Sequence, residues 1–208
     1  MKAPEGLPAD VAVRYFSQGL FYSSPCADAG GAPDLLLASE PLSRARELLA
    51  TTDARIYLGH AVLVDSGAIG RLAAEYGSKR IGIYVPAKRM EVSWAIDTLS
   101  NADFKFMRPS VCEPCWEILD GAGERTGTHA AWWIGEMLSS GASCAFVRVE
   151  MEDDADLNIC AALVERFGER LWLSPHGCSP ELLARWTLEG KARQLALPAA
   201  ELAMEQAA

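Results

Sequence analysis

No apolar run in the 208-residue chain reaches the roughly 18 to 20 residues needed to cross a bilayer. Nor does the N-terminal Met1-Lys2-Ala3-Pro4-Glu5-Gly6 lead into the apolar core of a secretory signal. A membrane partner is therefore not expected, and the expected compartment is the cytoplasm. Basic charge is scarce, with 19 Lys and Arg against 28 Asp and Glu for a formal net charge of −9. No segment gathers Lys and Arg into a stripe able to follow a phosphate backbone, which argues against nucleic acid as a partner. Cys112-Glu113-Pro114-Cys115 has the spacing of a zinc knuckle or redox pair, but no second CxxC or CxxH follows at ligand distance, so no metal is assigned. The remaining cysteines, Cys26, Cys144, Cys160 and Cys178, are scattered, a usage that fits reduced thiols better than a disulfide framework. The glycine-rich first turn of a dinucleotide-binding sheet is missing too, and the sequence names no cofactor.

What is present is hydrophobic residue, 50% of the chain, enough for one substantial core and a single domain spanning 1–208. A helix-then-strand unit recurs. Helical spacing over Leu42–Leu49 precedes the strand-like Arg55–Gly59, and helix Ala68–Tyr76 precedes Arg80–Val85. Helices 129–138, 157–167 and 180–188 then precede strands 144–149, 170–173 and 193–197. Gly77, Gly141, Gly168 and Gly190 stand where left-handed caps would end the helices. Apolar strands separated by single helices run parallel with both faces covered, so Arg55–Leu58, Ile81–Val85, Ala145–Val149 and Leu171–Leu173 are expected as parallel neighbours in one sheet.

The even period favours a closed barrel over an open sheet with a switch point. Adding Asp34–Leu37 and a weaker segment at Leu20–Ser23 gives about seven parallel strands, against the eight of a (β/α)8 barrel. The expected fold is thus α/β, an incomplete or modified (β/α)8 TIM-type barrel with an atypical N-terminal segment over 1–33. The unit breaks after the fifth strand, where residues 90–126 read as an antiparallel flap built on Val92–Ile96 and Trp116–Leu119, with turn residues at Asp120-Gly121 and Ala122-Gly123.

The order of these segments resembles the isomerase and cyclase barrels of histidine biosynthesis (the HisA/HisF family) over roughly residues 34–200. Arg55-Ile56-Tyr57-Leu58-Gly59-His60-Ala61 is similar to their fourth strand with its phosphate-side glycine. Ile83-Tyr84-Val85-Pro86-Ala87-Lys88-Arg89 resembles the cyclase's fifth strand, where the family has Asp-Ala-Lys-Arg, and Trp116–Leu119 with Arg125-Thr126-Gly127 resembles the flap and following turn. The flap also resembles that of barrel relatives encoded beside pterin-cofactor genes of one-carbon metabolism. The resemblance implies an acid/base carboxylate pair on the first and fifth strands. Here the fifth-strand position is Pro86, which cannot move a proton, and no first strand is legible before Leu7. The family's phosphate turns are altered to Ser39-Glu40, to Ser174-Pro175-His176-Gly177 and to Leu197-Pro198, each proline removing an N–H donor. The ancestral isomerisation is therefore not expected.

At the strand ends that carry active sites in such barrels, the sequence offers a different set. His60, Lys88, Glu150 and His176 are the candidate catalytic residues, and Glu40, Gly59 and Gly177 the candidate ligand-binding residues. Imidazole beside carboxylate suits acid/base chemistry. Glu150–Asp156 otherwise reads as a solvated acidic turn, with Asp156 helping to begin a helix. Trp94, Phe104, Phe106 and Trp116 in the flap suit a lid over a flat ligand or a subunit interface. The expected partner is a small metabolite, phosphorylated or heterocyclic. The alternative is a non-catalytic subunit that forms a homo-oligomer or binds another protein through its open edges and flap.

Overall fold

The structure, a computed structural model, describes residues 7–17, 20–23, 34–90, 99–101, 104–106, 114–177 and 179–198. Helix and strand alternate as the apolar spacing dictates. Strands β1 (Ala12–Ser17), β2 (Leu20–Ser23) and β3 (Asp34–Leu37) lead to helix α1 (Leu42–Thr51) and strand β4 (Ile56–Leu58). Helices α2 (His60–Val64) and α3 (Ala68–Tyr76) lead to β5 (Ile81–Arg89). The excursion contains β6 (Leu99–Asn101), β7 (Phe104–Phe106), β8 (Trp116–Leu119) and β9 (Arg125–His129). Regular units then resume with α4 (Ala130–Ser139), β10 (Cys144–Val149), α5 (Asp154–Phe167), β11 (Leu171–Pro175), α6 (Pro180–Leu188) and β12 (Gln194–Pro198). Among the described residues, no helix is long and apolar enough to cross a membrane.

β4, β5, β10 and β11 are successive parallel neighbours, with Ile56 opposite Ile81, Ile83 opposite Ala145, and Ala145 opposite Leu171. That is the arrangement near-continuous apolar strands joined by helices require. Pairing continues in parallel from β11 to β12 and from β12 to β1, while β3 pairs β4 in parallel. The fold is mixed α/β around a central, mostly parallel sheet. Followed from strand to strand, its hydrogen bonding runs from β5 through β10, β11, β12, β1, β2, β3 and β4 back to β5.

The N-terminal segment departs from expectation. Ala12–Ser17 is a strand, and it sits beside β12 with Val13 opposite Leu195. Leu20–Ser23, counted above as parallel, runs antiparallel to both β1 and β3. Only Gln18 and Gly19 separate β1 from β2, a link that suits antiparallel strands and is far too short for a parallel crossover. β1 is hard to read because Arg14 interrupts its apolar pattern. Folding satisfies that charge: Arg14 Nη1 donates to Asp34 Oδ2 at 2.6 Å, and the guanidinium lies 4.5 Å from the centre of the Trp172 ring.

Alternation along each strand separates two apolar clusters. Ile56, Leu58, Ile81, Ile83, Val85, Val147, Leu173 and Leu195 pack with helix residues such as Leu49, Ile69, Leu72, Ile134, Leu163 and Leu183 in the main core. Burying side chains of the size of Ile69 and Leu72 contributes about 1.5–3 kcal/mol each. On the other face, Tyr57, Cys144, Phe146, Trp172 and Ala196 form a second cluster with Phe16, Leu36 and Tyr84 packed against it. Gly77, Gly141 and Gly168 have positive φ, as helix-ending glycines should. At the end of α6, by contrast, Lys191 takes the positive φ, at 55°. Gly190 serves close packing instead, since a Cβ there would stand 2.7 Å from the Trp186 carbonyl oxygen.

The excursion is antiparallel where it meets the sheet. β5 outruns its parallel neighbours, and its end pairs with β8, Ala87 opposite Ile118 and Arg89 opposite Trp116, while β8 pairs with β9. β6 and β7 pair as a separate two-stranded sheet. The expected strand Val92–Ile96 lies outside the described residues. Asp156 fastens this hairpin to the sheet. It is fully buried, not part of a solvated turn, and its carboxylate accepts from Trp116 Nε1, from both Nε and Nη2 of Arg89, and from the Glu152 N–H. Asp153 caps α5, accepting from the Ala155 N–H at 2.7 Å, and forms a capping box with Asp156.

Candidate functional site

β3 and β4 end side by side against the middle of β5, because the three strands are parallel and Leu37, Leu58 and Ile83 share one register, and the turn between β8 and β9 reaches the same place. A cavity of about 160 Å³ lies there. Its lining is Ala38 and Ser39 after β3, His60 at the start of α2, Tyr84 and Pro86 of β5, and Leu119, Asp120 and Gly121 of the hairpin.

Two glycines set the position of His60. A Cβ on Gly59 would stand 2.3 Å from the Ala38 carbonyl oxygen, so only glycine lets the end of β4 come this close to β3. The Gly59 N–H donates to Leu37 O at 2.9 Å and the His60 N–H to Ala38 O at 2.8 Å. From the other side, the Gly121 N–H donates to His60 Nδ1 at 3.1 Å, and a Cβ on Gly121 would lie 2.9 Å from His60 Cγ. A ring nitrogen that accepts carries no proton, so in neutral His60 the proton is on Nε2, which becomes a donor.

Asp120 Oδ1 accepts the Ala122 N–H at 2.8 Å and the Glu124 N–H at 2.9 Å. The Glu124 and Ala122 bonds, with a smaller contribution from His60, hold this carboxyl below the usual carboxylate range, so it is an acceptor at neutral pH. Tyr84 packs its ring 5.3 Å from that of Phe146, centre to centre. Burial pushes its phenol up, against a pull from Arg148 in the opposite direction. The cavity therefore combines an ionised acceptor, a ring N–H donor and apolar walls from Tyr84, Pro86 and Leu119.

Of the candidate residues named from sequence, the structure brings His60 into this cavity with Gly59 directly behind it. Glu40 is exposed and folds back on its own backbone, its Oε2 accepting the Ser39 N–H at 3.1 Å. Lys88 is exposed on the antiparallel part of β5, opposite Glu117. Glu117 is itself buried and occupied by Arg125 and the Gly127 N–H. Glu150 is exposed after β10, and His176 and Gly177 are exposed after β11, where the His176 N–H donates to Val149 O at 2.8 Å. Glu150 and His176 thus follow strands parallel to β4 and stand at the same end of the sheet as His60, but neither lines the cavity.

Sequence reasoning passed over Asp120 and Tyr84. Asp120-Gly121 read only as a turn, yet a carboxylate at the tip of a flap directed toward an active-site end is a signal that could have been taken. A second polar group lies at the other end of the inner face: Arg55 reaches Asp34 at 3.8 Å, Tyr57 Oη at 3.5 Å and Cys144 Sγ at 3.7 Å. Asp34 already pairs with Arg14, so this group reads as mutual satisfaction of half-buried charge. Among the described residues, no group of three or more His, Cys, Asp or Glu could hold a metal ion. Cys112 falls outside them, which leaves the CxxC pair without a structural description. No protein-family model and no curated protein matches this chain.

Proposed function

We propose that this chain is a diverged relative of the isomerase and cyclase barrels of histidine biosynthesis, a modified (β/α)8 barrel that binds a small heterocyclic or phosphorylated metabolite and has lost the ancestral reaction. The cycle of strand pairings through eight strands supports the barrel reading, with β2 reversed relative to its neighbours. The observation that carries the binding reading is the cavity at the C-terminal ends of β3 and β4, beside β5, at the end of the sheet where barrels of this type hold their ligands. Its size suits a small occupant: a cavity of roughly 150 Å³ is about the space of one benzene ring. Acid/base chemistry on the bound molecule would fall to His60 and Asp120, with Lys88, Glu150 and His176 outside the cavity in this state. The proposed tie to one-carbon metabolism rests on the resemblance of the flap alone.

The second reading, a non-catalytic subunit that assembles with itself, draws on Trp132 of α4, which is 55% exposed. A thermal-shift screen of small metabolites on the wild-type protein and on His60→Ala separates the two readings. Stabilisation by a metabolite that disappears in the variant supports the cavity. Equal stabilisation of both proteins, or none by any metabolite, supports the assembly reading.

A further inference from the structure

The donors and acceptors around the cavity restrict what it can hold, and they exclude one of the two ligand chemistries named above. A phosphate site at strand ends needs backbone N–H groups left open toward the ligand. Here four of the candidates are already used. The Ser39 N–H goes to the Glu40 carboxylate, the Gly59 N–H to Leu37 O, the His60 N–H to Ala38 O and the Gly121 N–H to His60 Nδ1. Among the described residues, the lining contains no Lys or Arg, and it does contain Asp120, whose ionised carboxyl repels an anion.

What stays available is of another kind. Asp120 receives two backbone N–H groups on Oδ1, and a carboxylate has about four acceptor sites. His60 has given Nδ1 to Gly121 and keeps Nε2–H as a donor. Tyr84, Pro86 and Leu119 supply flat or apolar contact surface.

We infer that the cavity is a site for an uncharged, single-ring nitrogen heterocycle carrying adjacent N–H and C=O groups, a cyclic amide or ureide. The N–H donates to Asp120, the C=O accepts from His60 Nε2–H, and the ring packs against Tyr84. This rests on the proposed function above and narrows its ligand class: His60 serves as a hydrogen-bond donor, not as the base, while its Nδ1 is held by Gly121.

Calorimetric titration with uracil, with 1,3-dimethyluracil and with inorganic phosphate tests it, each followed by amide and histidine-ring NMR of the wild-type protein. Uracil is expected to bind and to shift the Gly121 amide and the His60 ring, with His60 Nε2 protonated and Nδ1 not. The dimethyl compound has the same ring and carbonyls without the N–H groups and should bind about tenfold more weakly or worse. Phosphate should leave both signals in place, and Asp120→Asn should lose uracil affinity to a similar extent.

The inference is overturned if uracil fails to bind at millimolar concentration, or if the dimethyl compound binds equally well. It is also overturned if phosphate shifts Gly121 and His60, an outcome in which the cavity remains the ligand site and only the ligand class is wrong. Binding of uracil that moves neither signal overturns the inference and the underlying functional reading together.

Discussion

Trp116 Nε1 donates to Asp156 Oδ1 at 2.8 Å, and both side chains are buried. The bond joins the flap strand β8 to the start of α5, and Arg89 at the end of β5 meets the same carboxylate. Beside it, with ring centres 6.2 Å apart, Trp186 is equally buried but its Nε1 has no hydrogen-bond partner among the described residues. Two tryptophans in one environment thus differ in whether the indole N–H is satisfied.

That difference gives a matched comparison. Trp116→Phe and Trp186→Phe remove the same volume, but the first also deprives a buried carboxylate of a donor, whereas the second removes an N–H that has none to lose. Trp116→Phe should be the more destabilising, by about 1–2 kcal/mol. Urea denaturation of the two variants measures this, and equal losses would contradict it.

Asp156→Ala removes the acceptor itself. It leaves Arg89 paired with Asp153 alone and strands the buried Trp116 indole, which should cost about 1–3 kcal/mol, the range for leaving a buried donor unsatisfied. Chemical denaturation at neutral pH reads the loss, and one below about 1 kcal/mol would show that Asp156 does not anchor the flap.

Gly59→Ala should destabilise by about 1–3 kcal/mol, because its Cβ would stand 2.3 Å from the Ala38 carbonyl oxygen and backbone must move to relieve it. The same movement displaces His60. The variant should therefore lose ligand-induced stabilisation as well as intrinsic stability, which thermal shift with and without ligand would reveal.

The flap turn should weaken in acid. The folded state lowers the Asp120 carboxyl, chiefly through the Glu124 and Ala122 N–H groups, so its contribution is present above the unfolded-state value and is lost as pH falls through the lowered folded-state value. Amide shifts of Ala122 and Glu124 should titrate together below the ordinary carboxylate range. In Asp120→Asn that step should be absent.

The parallel strands β4, β5, β10 and β11 were legible because their unbroken apolar runs leave no other packing solution. β1 was not, since Arg14 looks like a surface residue until Asp34 and Trp172, far apart in sequence, surround it. The site was legible in part for the same reason. His60 follows a readable strand and a glycine, whereas Asp120 belongs to a turn whose position over the strand ends depends on the long-range contacts of Asp156 with Trp116 and Arg89. Glu40, Glu150 and His176 do follow their strands, but strand-end position alone does not say which way a side chain turns.

The unmodified gene should not complement a strain lacking either histidine-pathway barrel enzyme, and Pro86→Asp should not restore the activity. Pro86 lines the cavity where the resemblance places a carboxylate, but β1 offers Arg14, Tyr15 and Phe16 and no acid to complete a pair. Growth of the complemented strain would refute this.

As proposed, ligand binds between the ends of β3 and β4, beside β5 and under the turn of the β8–β9 hairpin. The most direct test is amide chemical-shift mapping of the wild-type protein with a stabilising metabolite from the thermal-shift screen. The largest changes are expected on Ser39, His60, Asp120 and Gly121. Changes concentrated at the opposite end of the sheet, around Gly77, Gly141 and Gly168 where the helices turn into their strands, would contradict it.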